Sequence, residues 1–125
     1  MSYKFSNEKP IFLQIEEIIK KQIVSSQILP GEKLKSVREL SQEFKVNPNT
    51  IQNALKNLED AGLIYTDRTN GKFVSPDSSV ILNSKLEQIN LLTKTYLDKM
   101  KGLGLDEKQI IKFIKENLNE WYIRI

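Results

Sequence analysis

Neither cysteine nor histidine occurs anywhere in the 125 residues. Without thiols there are no disulfides and no thiolate chemistry, which suits a reducing compartment. Without imidazole, most general-base, triad and zinc-ligand schemes lose their usual residue. A carboxylate or lysine enzyme is what remains of the catalytic classes, and no phosphate-binding loop or metal-ligand cluster accompanies one. The sequence therefore points away from an enzyme and calls for no cofactor and no metal. Five glycines and four prolines are too few for a low-complexity chain. No apolar run approaches the ~18–20 residues a membrane span needs, and the first ten residues, MSYKFSNEKP, contain no hydrophobic signal core. A soluble, cytoplasmic protein is expected.

What is present can build a core: 39% of residues are hydrophobic and 28% are charged. The net charge of +3 permits an anionic partner without demanding one. The basic excess is local. Residues 33–56 hold Lys33, Lys35, Arg38, Lys45 and Lys56 against Glu39 and Glu43.

Pro10 opens the first helix, fitting its first turn. Ile11, Phe12, Ile15, Ile18, Ile19 and Ile23 recur at steps of three and four, giving one apolar face that should end near Ser26. Pro30-Gly31 makes a turn, and Lys33-Leu34 suits a very short strand. Ser36-Val37-Arg38-Glu39 reads as a capping box, with Val37, Leu40 and Phe44 behind it, so a helix of two to three turns runs to Lys45. Asn47 is a good N-cap. Pro48 then falls at the first helical position, where its fixed φ starts a helix rather than breaking one. Ile51, Ala54, Leu55 and Leu58 line its inner side, and Gly62 closes it. Strands are expected at residues 63–66 and 72–75, joined by residues 67–71 with Asn70-Gly71 as the turn signal.

This order is mainly α with a small β hairpin: a winged helix-turn-helix over residues 1–76, followed by a two-helix tail over 77–125. Leu82, Leu86, Ile89, Leu92, Tyr96 and Met100 keep helical spacing in the tail. Gly102-Leu103-Gly104 interrupts it, and Asp106 caps a last helix carrying Ile110, Ile111, Ile114, Leu118 and Trp121.

The second helix of the pair points Ile51, Leu55 and Leu58 one way and Asn49, Asn53 and Lys56 the other, with Gln52 at the edge. Asparagine and glutamine can donate to and accept from one adenine edge, and the first residues of a recognition helix reach base edges. Asn49, Gln52 and Asn53 are therefore expected on bases, and Thr50 on a phosphate or a thymine methyl. A solvated polar face is the plainer reading; the wing and the capped helix beside it favour readout. Ser36, Arg38 and the free N–H groups of the preceding helix suit phosphates, although Ser36 serves as a cap in any case. Asn47 joins this set as the cap of the reading helix. Arg68, Thr69, Asn70, Gly71 and Lys72 form the wing tip, where arginine reads minor-groove width and glycine lets the backbone come close. A plain charged hairpin is the alternative. Tyr96, Trp121 and Tyr122 invite a ligand pocket but fit packing between helices or subunits better.

The segments "PIFLQI", "LPGEKLKSVREL", "VNPNTIQNALKNLEDAGLI" and "NGKFV" resemble, in order and spacing, the DNA-binding domain of GntR-type bacterial transcription regulators. The resemblance covers over half the chain, and "VNPNT" with the short tail is similar to the YtrA subfamily. It implies a dimeric repressor, often of a nearby transporter operon, with the tail serving dimerisation. It maps the DNA contacts onto Ser36, Arg38, Asn49, Thr50, Gln52 and the wing around Gly71. Lys35, Leu55 and Gln27 depart from the family's proline, tyrosine and glycine, and Asn70 and Lys72 differ in the wing. These departures bear on the operator sequence rather than on the fold.

The expected partners are thus a double-stranded operator with inverted-repeat symmetry and a second copy through Leu82, Leu86, Ile89, Leu92, Tyr96, Ile110, Ile114, Leu118 and Trp121; the sequence leaves open whether a small-molecule effector binds as well. Winged helices also serve as protein-interaction modules, and salt-dependent duplex binding separates the two.

Overall fold

Ile15, Ile19 and Ile23 are each no more than 2% exposed and lie on one face of helix α1 (Ile11–Val24). They meet Leu40 and Phe44 of α2 (Val37–Phe44) and Ile51, Ala54, Leu55 and Leu58 of α3 (Pro48–Asp60) in a single core. Burying each of the larger side chains contributes about 1.5–3 kcal/mol. The computed structural model describes residues 3–124. Two strands follow, β1 (Ile64–Asp67) and β2 (Gly71–Val74), then α4 (Ser78–Gly102) and α5 (Glu107–Arg124). The chain divides into two compact units, Met1–Lys85 and Leu86–Ile125.

In the first unit Pro10 stands one place earlier than expected. It is the N-cap, with an extended ψ of 143°, and its carbonyl accepts from the N–H groups of Leu13 and Gln14. The segment before it is tied to α1 by Gln14. That amide accepts from the Ser6 N–H and donates to the carbonyls of Ser6 and Lys9. Tyr3 and Phe5 place their rings 4.4 Å and 6.3 Å from that of Phe44.

The hairpin pairs antiparallel, with Ile64 opposite Val74 and Asp67 opposite Gly71. Each strand reaches one residue further toward the tip than expected, so the five-residue connection 67–71 becomes a three-residue loop, 68–70. Asp67 holds this loop. Its carboxylate accepts from the Thr69 N–H at 3.0 Å, the Thr69 hydroxyl at 2.9 Å and the Asn70 side-chain amide at 3.3 Å. Gly71 then opens β2 at φ +104°, a conformation L side chains rarely adopt. The expected short strand appears as a bridge between Lys33 and Phe73. The Leu34 N–H donates to the Lys72 carbonyl at 2.8 Å, and the Val74 N–H donates to the Glu32 carbonyl at 2.9 Å. The base of the wing is thereby held on its second edge as well.

Asp77 starts α4, accepting from the backbone N–H and the hydroxyl of Ser79. Ile81 joins the core of the first unit.

In the second unit the break falls where glycine places it, with Gly104 at φ +85°. Asp106 and Gln109 then cap α5 reciprocally, each side chain accepting from the other's backbone N–H at 2.9 Å. Among the described residues from 86 onward, none is buried.

Candidate nucleic-acid interface

The capping box at the start of α2 is complete. Ser36 Oγ accepts from the Glu39 N–H at 3.0 Å, and Glu39 Oε1 accepts from the Ser36 N–H at 2.9 Å. These bonds from Ser36 hold the Glu39 carboxyl below its ordinary range. The box occupies two backbone donors, and the remaining first-turn N–H groups of a helix have no intrahelical partner. Arg38 is exposed beside them.

The turn between α2 and α3 is pinned from within. Lys45 adopts a left-handed conformation (φ 56°, ψ 50°), which is uncommon for a residue with a side chain. The Ser41 carbonyl accepts from the Val46 N–H at 3.1 Å, and the Ser41 hydroxyl donates to the Val46 carbonyl at 2.6 Å. Two bonds from one residue thus set the angle at which α3 departs.

Asn47 caps α3 as expected, with Oδ1 accepting from the Asn49 N–H at 2.8 Å and Pro48 following in the first turn. Ile51, Ala54, Leu55 and Leu58 are buried on the inner side. Asn49, Gln52, Asn53 and Lys56 are exposed, and Thr50 is half-buried. Asn57 behaves differently: its amide donates to Glu16 on α1 at 3.2 Å and helps dock the two helices.

At the wing, Arg68, Thr69, Asn70 and Gly71 are exposed. Bonds from Thr69 and Asn70 hold the Asp67 carboxyl below its usual range. Lys72 is half-buried. Its Nζ donates to Thr66 Oγ1 at 2.7 Å and stands 3.6 Å from Glu59 Oε2. Lys35 is likewise engaged, in an ion pair with Glu43 that raises its pKa. Lys33, Arg38, Lys45, Lys56 and Arg68 form no ion pair among the described residues and remain open to an anion, as do Lys4, Lys20, Lys21 and Lys85 elsewhere in the first unit.

All thirteen expected DNA-contact residues lie in the first unit. Sequence reading missed Ser41, Glu59, Thr66 and Asp67, which shape the same surface. The spacing Asp67 to Thr69 was a usable signal, because aspartate readily accepts from a backbone N–H two residues on. The residues expected at a subunit interface are placed less uniformly. Leu82 is exposed in the first unit, while Leu86, Ile89 and Leu92 are exposed along α4 in the second. Tyr96, Ile114, Leu118 and Trp121 share one open groove with Met100 and Phe113. Ile110 and Ile114 line a neighbouring hollow with Leu97 and Leu105.

Residues 12–74 match the family model of the bacterial regulatory proteins of the gntR family. The chain belongs to the GntR family. It is 36% identical over 115 residues to the HTH-type transcriptional regulator YhcF of Bacillus subtilis, covering 92% of this chain and 95% of that one. It is 32% identical over 108 residues to the HTH-type transcriptional repressor YtrA of the same organism, covering 86% of this chain and 83% of YtrA. A GntR family transcriptional regulator from Listeria monocytogenes superposes with a TM-score of 0.86 at 38% identity, over 90% of this chain and 98% of that one. AraR(DBD) in complex with operator ORX1 superposes with a TM-score of 0.55 at 30% identity, over 60% of this chain and 95% of that one. This GntR-family chain is therefore a DNA-binding transcriptional regulator and not an enzyme. Among its described residues no helix is long and apolar enough to cross a membrane.

Proposed function

We propose that this GntR-family regulator is a dimeric, sequence-specific repressor that reads an inverted-repeat operator, one half-site per winged domain. The row of exposed amides at the start of α3 carries the reading. Asn49, Gln52 and Asn53 take base edges in the major groove, and Thr50 takes a phosphate or a thymine methyl. Ser36, Arg38 and Lys56 hold phosphates and set the register. Asn47 fixes where the reading helix begins. Arg68, Thr69, Asn70 and Gly71 enter the adjacent minor groove.

The dimer is supported by the absence of any buried residue among the described residues from 86 onward. Helices of this length gain most of their stability from packing an apolar face. Leu92 and Trp121 are 70% and 54% exposed, and Leu86, Ile89, Tyr96, Ile114 and Leu118 are exposed with them. Contiguous apolar surface of this kind marks an interaction site, and a second copy offers the same surface in a closed two-fold arrangement. Ile110 lies beside Ile114 in the hollow on α5, and Leu82 is exposed on α4 in the first unit. Repression and a transporter operon as target follow the habit of the resembling regulators. A cytoplasmic setting agrees with them.

Sedimentation of the full chain, with and without residues 86–125, tests the assembly. The full chain should be a dimer at micromolar concentration. The shortened chain, which keeps Ile81 in its core, should be a monomer with much weaker duplex binding. A full-length monomer contradicts the assembly. Absence of salt-dependent duplex binding by the dimer would favour a protein-interaction module instead.

A further inference from the structure

Glu59, Thr66 and Lys72 come from three elements and meet at one point. Thr66 Oγ1 donates to Glu59 Oε1 at 2.6 Å and accepts from Lys72 Nζ at 2.7 Å. The same ammonium lies 3.6 Å from Glu59 Oε2. A hydroxyl has one proton and two lone pairs, so Thr66 links the two charges by bonding in both directions. Thr66 and Lys72 are opposite each other in the hairpin register, and Glu59 is in the last turn of α3. The Thr66 bond and the Lys72 charge hold the Glu59 carboxyl below its ordinary range, so it is ionised at neutral pH.

The covalent path from α3 to β1 is short and passes through Gly62 at φ +78°. A two-stranded hairpin is at best marginally stable alone. Its base is held by residues 31–34. Midway along the hairpin, beyond the core contacts of Ile64 and Val74, this cluster is a polar side-chain link to α3.

We propose that Glu59, Thr66 and Lys72 form a brace that fixes the wing relative to the recognition helix, so that the acidic Glu59 strengthens operator binding and Lys72 acts through it rather than as a free phosphate contact. The inference rests on the operator-binding reading above. An operator presents its major groove and the adjacent minor groove at a set separation, so α3 and the wing must be in place together. Ordering a loose wing at the moment of binding costs affinity, and a wing ordered beforehand avoids that cost. Simple electrostatics gives the opposite sign for Glu59, since removing a carboxylate near a polyanion should tighten binding. The two accounts therefore predict opposite results.

The test uses the full-length protein and one selected operator duplex, titrated over a series of salt concentrations. The parent, Glu59→Gln, Thr66→Val, Lys72→Met and the Glu59→Gln/Lys72→Met double variant are compared, with folding checked by circular dichroism. Thr66→Val changes no charge and so isolates the brace from the field. Each single variant should bind about two- to tenfold more weakly, with the salt slope of the parent. The double variant should lose no more than the worse single, because both changes break one unit. The brace is overturned if folded Glu59→Gln and Thr66→Val bind as well as the parent. It is also overturned if Lys72→Met flattens the salt slope by roughly one phosphate and its loss adds to that of Glu59→Gln. A parent that binds no duplex at any salt would remove the operator-binding reading itself. A parent that binds while Glu59→Gln binds equally well removes the brace alone.

Discussion

Asn47 Oδ1 accepts the backbone N–H of Asn49 at 2.8 Å, and this one bond separates the work of two neighbouring asparagines. The first has its carbonyl turned inward to start α3. The second gives its backbone to that cap and leaves its side chain exposed at the reading end of the helix.

Asn47→Ala should therefore lower stability by about 0.5–2 kcal/mol, seen as an earlier urea midpoint. Asn49→Ala should leave the midpoint within about 0.5 kcal/mol of the parent and relax base preference at one or two operator positions. The loss there should be about 1–3 kcal/mol for a bidentate pair. Equal effects of the two changes on stability would undo the distinction.

Arg38 is exposed at the start of α2, next to the capping box. Arg38→Ala should weaken binding to all duplexes alike and reduce the salt slope by roughly one phosphate's worth. Titrations of operator and unrelated duplex at several salt concentrations check this. Unchanged binding would remove Arg38 from the phosphate set.

Gly71 sits at φ +104°, and a Cβ added there would meet only the flexible Lys33 Cε, at 3.4 Å. The cost of Gly71→Ala thus comes from the backbone and not from crowding. It should destabilise the protein by more than about 1 kcal/mol and weaken operator binding by distorting the wing tip. A urea midpoint equal to the parent's would show that the turn relaxes freely.

Acid should act through carboxylates whose pKa values are lowered in the folded state: Glu39 by Ser36, Glu59 by Thr66 and Lys72, Asp67 by Thr69 and Asn70, and Asp77 by Ser79. A lowered folded-state pKa means stability that is present above the ordinary value and is lost as pH falls through the folded one. The ordinary values are 4.5 for the glutamates and 3.8 for the aspartates. The thermal midpoint should hold from neutral pH down to about pH 5 and fall below that. The largest cause for Glu39, the backbone N–H of residue 36, survives in Ser36→Ala, which removes the second cause, the hydroxyl, and should make the acid limb shallower. A limb as steep as the parent's would contradict the contribution assigned to the Ser36 hydroxyl.

Helix starts were legible in the sequence because their causes are local. Ser36 with Glu39, Asn47 with Pro48, and Asp106 with Gln109 each lie within one turn of what they cap. The hairpin was legible in kind and to within one residue at each strand end. Its tip is tighter than expected, because Asp67 gathers three donors across the three-residue loop. The surroundings of Lys72 were hidden for a different reason: they depend on Glu59, thirteen positions earlier and on another element. The packing of Tyr3 and Phe5 against Phe44 was equally unreadable, since no periodicity in the first nine residues announces a partner in α2. The amide face of α3 stood out because its apolar positions fix the inner side and leave the outer one by subtraction.

Selection of bound sites from a random duplex library, carried out with the full-length protein at moderate salt and read by sequencing, tests whether the amide row of α3 reads an operator. Enrichment of an inverted repeat is expected, with half-sites about one helical turn, or a multiple of it, apart. The preference at one or two positions in each half-site should disappear in Asn49→Ala or Gln52→Ala. Enrichment of nothing by folded protein, or of an inverted repeat untouched by both substitutions, would contradict that reading.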